Sequence, residues 1–429
     1  MNANRTKSIV LCCPFALLFF FYYISTGFNR TPKAISYVVN NSRSYFNVKR
    51  KWIPFRNSEL FLWSAFWDLR VNSDPKVRIL LFKRLDSLYF GSCLLHLSSG
   101  KVVEKNGYFQ LIDGGKLYSW AMTFRLLIFE PEPLYVPYFL VCKTDLQPTH
   151  VALKLEGQVS EKLAVVPVFV PSGRPDFLTV CTSPLHQVKD WLRLILFIEF
   201  YRFSGVSKFI FYLQSVSSDV LSVISHYQRT GLVKVIAMPP LAGARFKVHN
   251  YGQFIQISDC LLGSTPYTKF WTDLDIDEFL ATANVEPNFL KAYLESLHES
   301  QGGVRIRSAF WDKSWPPVVP LTNFSADLVE NLNLFSSFQV CEPFDPADRA
   351  KTIVRPEAVV KKIIHRVIEY LPGYKEQVAE PKTAFIYHLR LDQEQPATYK
   401  SVSPFTKLKI SLSERLRRVV EQVTKESNQ

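Results

Sequence analysis

Two spacings of apolar residues divide the chain. Between about residues 76 and 171 the apolar positions come as short runs rich in β-branched and aromatic residues: "VRILLF", "SLYFGSCLLHL", "GYFQLI", "YSWAMTFRLLIF", "YVPYFLVC", "HVALKL" and "LAVVPVFV". Turn-forming stretches such as "SSG", "DGG" and "EPEP" separate them, the pattern of strands joined by short connections. The expectation is an all-β accessory domain over 59–175, built as a sandwich. The period then lengthens. "FLTVC" (177–181) reads as a strand, "HQVKDWLRLILFIEFYRFSG" as a helix closed by Gly205, and "KFIFYL" (208–213) as a second strand. "SSDVLSVISHYQRTG" is a second helix with serine at its start and Gly231 past its end, and "LVKVIAMPP" (232–240) is a third strand. Strand, helix, strand, helix, strand is half of a doubly wound α/β sheet, which binds ligands at the carboxyl ends of its strands. Another helical stretch, "NYGQFIQISDCLLGS", leads to "YTKFWTDLDIDEFL". Further on, "VVKKIIHRVIEY" reads as helical, and the tail "LSERLRRVVEQVTKE" as an amphipathic terminal helix lying on the domain.

The amino terminus has a different character. Ile9 to Phe28 carries no charge over 20 residues, and at helical rise that is roughly 30 Å, enough to cross a bilayer core. The reading is a cytosolic tail (1–8), a signal anchor (9–28) and a polar, basic stem (29–58), with the rest lumenal. A cleaved signal peptide is the alternative, because Ser25-Thr26-Gly27 offers small residues to a peptidase. Sequons at Asn29, Asn40 and Asn323 fit a secretory address. The net charge of +13 resolves the same way: residues 1–150 hold 19 Lys+Arg against 9 Asp+Glu, and the remainder 32 against 29. The excess is N-terminal, so no basic face marks the α/β region as a nucleic-acid binder. Five cysteines lie beyond the apolar segment without zinc-type spacing, which predicts one or two disulfides and a free thiol.

The chemistry concentrates in "DLDIDE", residues 273–278. In an extended segment Asp273, Asp275 and Asp277 share one side. Three such carboxylates repel one another unless a cation sits among them. Hard oxygen ligands favour Mg²⁺ or Mn²⁺ over zinc, and a metal held by one or two carboxylates keeps positions for substrate phosphates. With the α/β half-sheet, this points to a nucleotide diphosphate carried on a metal.

"VCTSPLHQVKDWLRLILFIEFYRFSGVSKFIFY", "ISDCLLGSTPYTKFWTDLDIDEFL", "KTIVRPEAVVKKIIHRVIEY" and "AFIYHLR" resemble the successive blocks of glycosyltransferase family 92, over about residues 176–395. The resemblance implies a GT-A type nucleotide-sugar transferase, resident in the Golgi as a type II membrane protein, with 396–429 as a C-terminal helical tail. It implies transfer of galactose from UDP-galactose, with β stereochemistry, to fucose-bearing N-glycans, using Mn²⁺. Asp275 and Asp277 then correspond to the metal-binding D-x-D, with Asp273 one step outside as a donor-side carboxylate. Late in the domain, His388 in "YHLR" stands where the family reads H-Y-R, and Leu389 departs from that pattern. His388 is the candidate third metal ligand. Lys351 and Arg355 are candidates to neutralise the diphosphate, and Trp311 and Trp315 to stack on the acceptor sugar. Asp312, Glu330, Glu342 and Asp345 are the downstream carboxylates from which a base would come. Glu199 and Arg202 read as a helix-packing ion pair, and His365 as a residue on a helix face. Replacing any of the three aspartates by asparagine is expected to spare folding. The rival reading is a glycan-binding protein that keeps the fold without the chemistry.

Overall fold

The computed structural model describes residues 48–427 except 56–58, 72–73, 85–88, 114–134, 157–162, 171–174, 242–247, 266, 313–317, 325–328, 330–337, 347 and 390–399. The expected anchor at 9–28, the sequons at Asn29 and Asn40, the "YSWAMTFRLLIF" strand, Trp315 and Glu330 lie outside the described residues. Among the described residues no helix is long and apolar enough to cross a membrane.

The accessory domain is a closed barrel rather than a sandwich. Its strands run in the spatial order Leu60–Asp68, Lys76–Arg84, Tyr135–Lys143, Val102–Leu111, Gly91–His96, His150–Leu155 and Val165–Phe169. The last then pairs in parallel with the first, Ala65 opposite Val168 and Phe66 opposite Phe169. Closure of this kind leaves no sheet edge, and it depends on two strands far apart in sequence, which local spacing does not register. The barrel interior is filled by Leu60, Leu62, Val77, Ile79, Leu81, Leu140, Val151 and Leu153. The alternate residues Phe61, Trp63, Leu80, Phe82, Phe139 and Val141 face outward, yet they are buried with Phe254, Ile257 and Leu261 of a later helix. Both faces of these strands are therefore covered, which is why their sequences run continuously apolar instead of alternating.

The folded body begins earlier than the expected stem boundary. Val48–Lys49 add a parallel strand beside Ile236–Ala237, and Ile53–Phe55 pair with Leu60–Leu62. The Trp52 ring lies 4.4 Å from that of Trp63 and donates its Nε1–H to the Pro239 carbonyl at 2.8 Å. Arg50 pairs with the buried Asp259, which also accepts from Ser64 and from Tyr212, each at 2.6 Å. A polar, basic composition hid these anchors.

In the α/β part, four parallel strands lie in the order Val233–Ala237, Lys208–Val216, Asp176–Thr182, Thr268–Leu274. By sequence this is 3-2-1-4, so the strand order reverses between Asp176–Thr182 and Thr268–Leu274, the crevice where such sheets take ligands. Lys351–Val354 then joins antiparallel, followed by Gln301–Ile306 and Lys375–Val378. A second sheet is formed by Glu278–Thr282, Ala384–Leu389, Ser308–Asp312, Phe338–Val340 and Lys400–Val402.

The helix Trp191–Ser204 starts at Asp190, whose side chain accepts from the Arg193 amide at 3.0 Å, and stops at Gly205 with φ 106°. Its residues are apolar all round because it is buried on all sides, including beneath the C-terminal helix Lys409–Ser427. Buried Glu199 ties three helices together: it binds Arg202 at 2.7 Å, Tyr227 at 2.8 Å and Arg415 at 3.0 Å. The expected ion pair is thus part of a packing network. "VVKKIIHRVIEY", by contrast, is not a helix. Val359–Lys362 and Val367–Tyr370 form an antiparallel hairpin with His365 in its turn, and the Val/Ile-rich composition of the segment agrees with strand.

Cys93–Cys142 and Cys181–Cys260 are disulfides and Cys341 is a buried free thiol. Cys93 and Cys142 sit on strands that flank Val102–Leu111, and Gly107 lies opposite Cys142 in that strand. A Cβ at position 107 would stand 2.6 Å from Cys142 Sγ and 2.8 Å from Leu140 Cδ1, so the bridge passes where a side chain would otherwise be. Gly107→Ala is expected to lower stability by about 1–3 kcal/mol, the usual cost of overpacking a filled interior. A denaturant midpoint that does not move would show the interior to have slack.

Candidate active site

The strand Thr268–Leu274 ends one residue before Asp275, and the chain turns at once: the Glu278 amide donates to the Asp275 carbonyl at 3.1 Å. Residues 275–277 therefore form a turn that carries the chain from the first sheet into the second, not the extended segment expected. This divides the carboxylates. Asp273, still in the strand, is 1% exposed and pairs with the equally buried Lys362 of the hairpin. It faces inward and offers nothing to a donor. Burial holds the Lys362 pKa below the ordinary lysine range despite that partner.

Asp275 is locked from both sides. Its Oδ1 accepts from Ser183, at the end of the neighbouring strand, and Ser183 in turn accepts from Gln253. Its Oδ2 lies 3.0 Å from Lys351 Nζ, which also reaches Glu278 Oε2 at 3.1 Å. The antiparallel register, with Val354 opposite Trp271, brings Lys351 to this end of the sheet. Burial pulls the Lys351 pKa down, but the Asp275 and Glu278 charges outweigh it and leave it well above the usual value. Burial pushes Asp275 up, but Lys351 and the Ser183 hydrogen bond win, so its carboxyl titrates below the ordinary range. For Glu278, burial exceeds the attraction of Lys351 and its carboxyl is raised to about 7.

Asp277 is a quarter exposed, and its Oδ1 lies 3.4 Å from His388 Nε2. His388 is delivered by the second sheet, where it is paired in register with Glu278, and its Nδ1 lies 3.6 Å from Glu278 Oε1. Burial lowers the His388 pKa, but the Asp277 hydrogen bond and the surrounding carboxylates leave it raised. The ring packs edge-on against Phe310 at 5.5 Å. Asp277, His388 and Glu278 thus form a row of carboxylate, imidazole and carboxylate, in which the 3.6 Å contact to Glu278 is electrostatic and too long for a hydrogen bond.

Among the described residues no group of three or more His, Cys, Asp or Glu side chains is arranged to hold a metal ion. A carboxylate oxygen of Asp277 and the Nε2 of His388 nonetheless offer donors for Mn²⁺ or Mg²⁺, while the unpartnered His388 Nδ1 lies on the Glu278 side, away from Asp277. Asp275 fits less well, since it would have to exchange Ser183 or Lys351 for the metal.

The remaining expected site residues are dispersed. Arg355 lies 4.6 Å over the Phe270 ring, lower on the strand, and donates from Nε to the Gln301 carbonyl at 3.2 Å. It is a packing residue here, not a phosphate ligand. Lys351, 1% exposed, neutralises the carboxylates rather than standing free for a diphosphate. Trp311 is also 1% exposed and packs on Phe279 and Phe405, so its ring has no face for a sugar. His365 Nδ1 lies 3.1 Å from the Ala350 carbonyl. Glu342 and Asp345 are exposed and flank Phe344, whose ring packs on Phe310 at 4.8 Å.

Sequence reasoning passed over Ser183, Gln253 and Lys362, and gave Glu278, though part of the acidic run, no role of its own. It also passed over Arg349, a half-buried cation over the Phe310 ring at 5.0 Å. Arg349, Asn250 and Tyr251 hold positive φ angles of 50°, 46° and 53°. Such backbone is costly for residues other than glycine and concentrates at binding sites.

With this geometry in place, comparison with known proteins gives the class. Residues 176–427 match the model of glycosyltransferase family 92, more than half of the chain, and the chain belongs to that family. No curated protein matches. Among solved structures, S. aureus TarS 1–349 in complex with UDP is 12% identical with a TM-score of 0.27, over 58% of this chain and 65% of that one. A mycobacterial protein is 12% identical at TM-score 0.27, over 58% and 75%. The galactosyltransferase LgtC with donor and acceptor sugar analogs is 10% identical at TM-score 0.21, over 42% and 58%. The chain thus spans less than two thirds of TarS, and at these scores the likenesses carry no argument.

The two kinds of aspartate should separate in experiment. Asp273→Asn leaves Lys362 buried without its counter-charge and is expected to cost about 3 kcal/mol or more of stability, contrary to the sequence-based expectation that all three variants fold normally. Asp277→Asn, at a partly exposed position, should melt within a few degrees of the parent protein. Equal melting temperatures for the two variants would contradict the assignment of Asp273 to the interior.

Proposed function

We propose that the chain is a glycosyltransferase that moves a hexose from a nucleotide diphosphate donor to a glycan acceptor. Galactose from UDP-galactose is the donor reading, and a fucose-bearing N-glycan the acceptor reading. The observation that carries the proposal is the Asp275–Asp277 turn at the switch point of a 3-2-1-4 sheet, with His388 brought against Asp277 by the second sheet. Membership of family 92 supports it.

Asp277 and His388 would hold Mn²⁺ (or Mg²⁺), with the Glu278 carboxylate beside the far nitrogen of the histidine. The bound cation would supply electrostatic stabilisation of the departing diphosphate. Lys351 keeps Asp275 ionised and fixes the turn, so the site is assembled before substrate arrives. Ser183 and Gln253 hold the same turn from the neighbouring strand and helix. In a direct displacement the acceptor hydroxyl attacks the anomeric carbon and its proton passes to a carboxylate. Glu342 and Asp345, exposed beside the Phe310 and Phe344 pair, and Asp312, which ends the strand Ser308–Asp312, are the candidates within the described residues.

Placement in the Golgi membrane as a type II protein is part of the proposal, motivated by the uncharged run at 9–28 and by the exposed position of Asn323. Expressed in a eukaryotic cell, the protein should remain with membranes after carbonate washing and lose mass on N-glycosidase treatment. Recovery of most of the chain in the medium, starting near Phe28, would favour the cleaved signal.

The transferase reading is tested by calorimetry. UDP should bind tightly only with Mn²⁺, and Asp277→Asn should abolish both that dependence and transfer. Glu278→Gln, which leaves the candidate ligands in place, should weaken metal-dependent binding by about 10- to 100-fold. Metal-dependent UDP affinity unchanged in both variants would sink the site assignment, and no UDP binding by the parent protein would favour a glycan-binding protein without the chemistry.

A further inference from the structure

A second concave surface lies on the barrel wall. A cavity of about 570 Å³ opens over the strands Gly91–His96, Val102–Leu111 and His150–Leu155, a size suited to a small ligand. These are not the strands whose outer faces are buried against the helix Gln253–Ser264. The groove therefore belongs to a different part of the barrel wall, separate from the Asp277–His388 site.

Its lining is unusual for an exposed sheet face. Phe90 is 79% exposed. Phe90 precedes Gly91, which is paired in register with Gly107, so the ring stands at one end of the groove. Along its length Ser92 is paired with Asn106 on one side and with Lys154 on the other. Ser92 Oγ donates to Glu104 Oε1 at 2.7 Å, and Lys154 Nζ lies 2.8 Å from Glu104 Oε2. Glu156, whose amide donates to the Phe90 carbonyl at 3.0 Å, lines the same cavity.

This combination selects a ligand class. An exposed aromatic ring without an apolar surround suits the C–H face of a sugar ring, and the row of carboxylates, amide, hydroxyl and ammonium suits dense hydroxyl groups. Two carboxylates against one lysine already paired with Glu104 disfavour a nucleotide or any other anion. An aliphatic ligand would strand the polar row without partners.

We propose that this groove is a second, neutral-carbohydrate site, which holds an arm of the acceptor glycan other than the one being extended. The assignment to an acceptor arm rests on the transferase reading; the carbohydrate site itself does not.

The test uses the full-length protein in detergent and calorimetry, with a neutral fucose-bearing biantennary N-glycan, its sialylated form and UDP with Mn²⁺ as separate probes. The parent protein should bind the neutral glycan without UDP. Phe90→Ala should weaken that binding about tenfold, equivalent to about 1.4 kcal/mol, and Asn106→Ala should also weaken it. Melting temperature and UDP affinity should stay unchanged in both variants. Asp277→Asn should leave glycan binding intact, and the sialylated glycan should bind more weakly. The proposal is overturned if the parent protein shows no UDP-independent glycan binding, if Phe90→Ala and Asn106→Ala bind as the parent does, or if the sialylated form binds as well as the neutral one. Failure of Asp277→Asn to affect UDP binding would instead remove the transferase reading and leave a Phe90-dependent sugar site standing.

Discussion

The pairing of buried carboxylates with buried lysines at the carboxyl end of one strand is the constraint on which the rest of the molecule turns. Asp273, Asp275 and Glu278 are drawn together by the end of Thr268–Leu274 and the turn after it. Asp273 and Glu278 are buried and Asp275 is about a third exposed; without counter-charges the buried pair would either protonate or force the strand ends apart. Lys351 and Lys362 prevent this, and each needs its own supporting element: the antiparallel strand Lys351–Val354 for one and the hairpin from Val359 to Tyr370 for the other. The mixed character of the sheet, parallel on one side of Thr268–Leu274 and antiparallel on the other, follows the need to deliver cations to that strand's end.

The same pairing sorts the acidic cluster by function. Asp273 becomes part of the interior and Asp275 a locked support. Asp275 and Asp277 both reach solvent, and Asp277 is the one with the histidine ring at its side. A run of alternating aspartates suggests equal partners. The turn at 275–277 makes them unequal, because each carboxylate leaves the chain towards different neighbours. Arg355 and Trp311 were plausible ligands by residue type, yet one is held over Phe270 and the other is sealed between Phe279 and Phe405.

The barrel is more than a spacer. Several of its outer faces supply part of the hydrophobic cluster that buries one side of the helix Gln253–Ser264, the helix that begins with the Gln253 side chain bonded to Ser183. Arg50, Ser64 and Tyr212 converge on Asp259 of that helix from the N-terminal segment, the barrel and the α/β sheet. One buried carboxylate thus fixes all three parts to one another, and it does so a short way along the helix from the proposed donor site.

By itself the sequence determined what local spacing and residue chemistry can carry. The change from β-runs to alternating strands and helices is legible, as are the helix ends at Ser217 and Gly205, the terminal helix, and the D-I-D-E segment after an apolar strand. The blocks that resemble family 92 are legible for the same reason: side-chain chemistry and order along the chain are written directly in the residues. Only the tertiary structure decided the features that depend on partners distant in sequence. These are the closure of the barrel by Val165–Phe169 on Leu60–Asp68, the strand at Val48–Lys49 concealed in a basic segment, and the hairpin at Val359–Tyr370. The partner of each acidic residue was also beyond reach, since Lys351, Lys362 and His388 lie 76, 89 and 111 positions after Asp275, Asp273 and Asp277. Which carboxylate is paired with a lysine and which lies beside a histidine is decided by the strand register that brings these positions together.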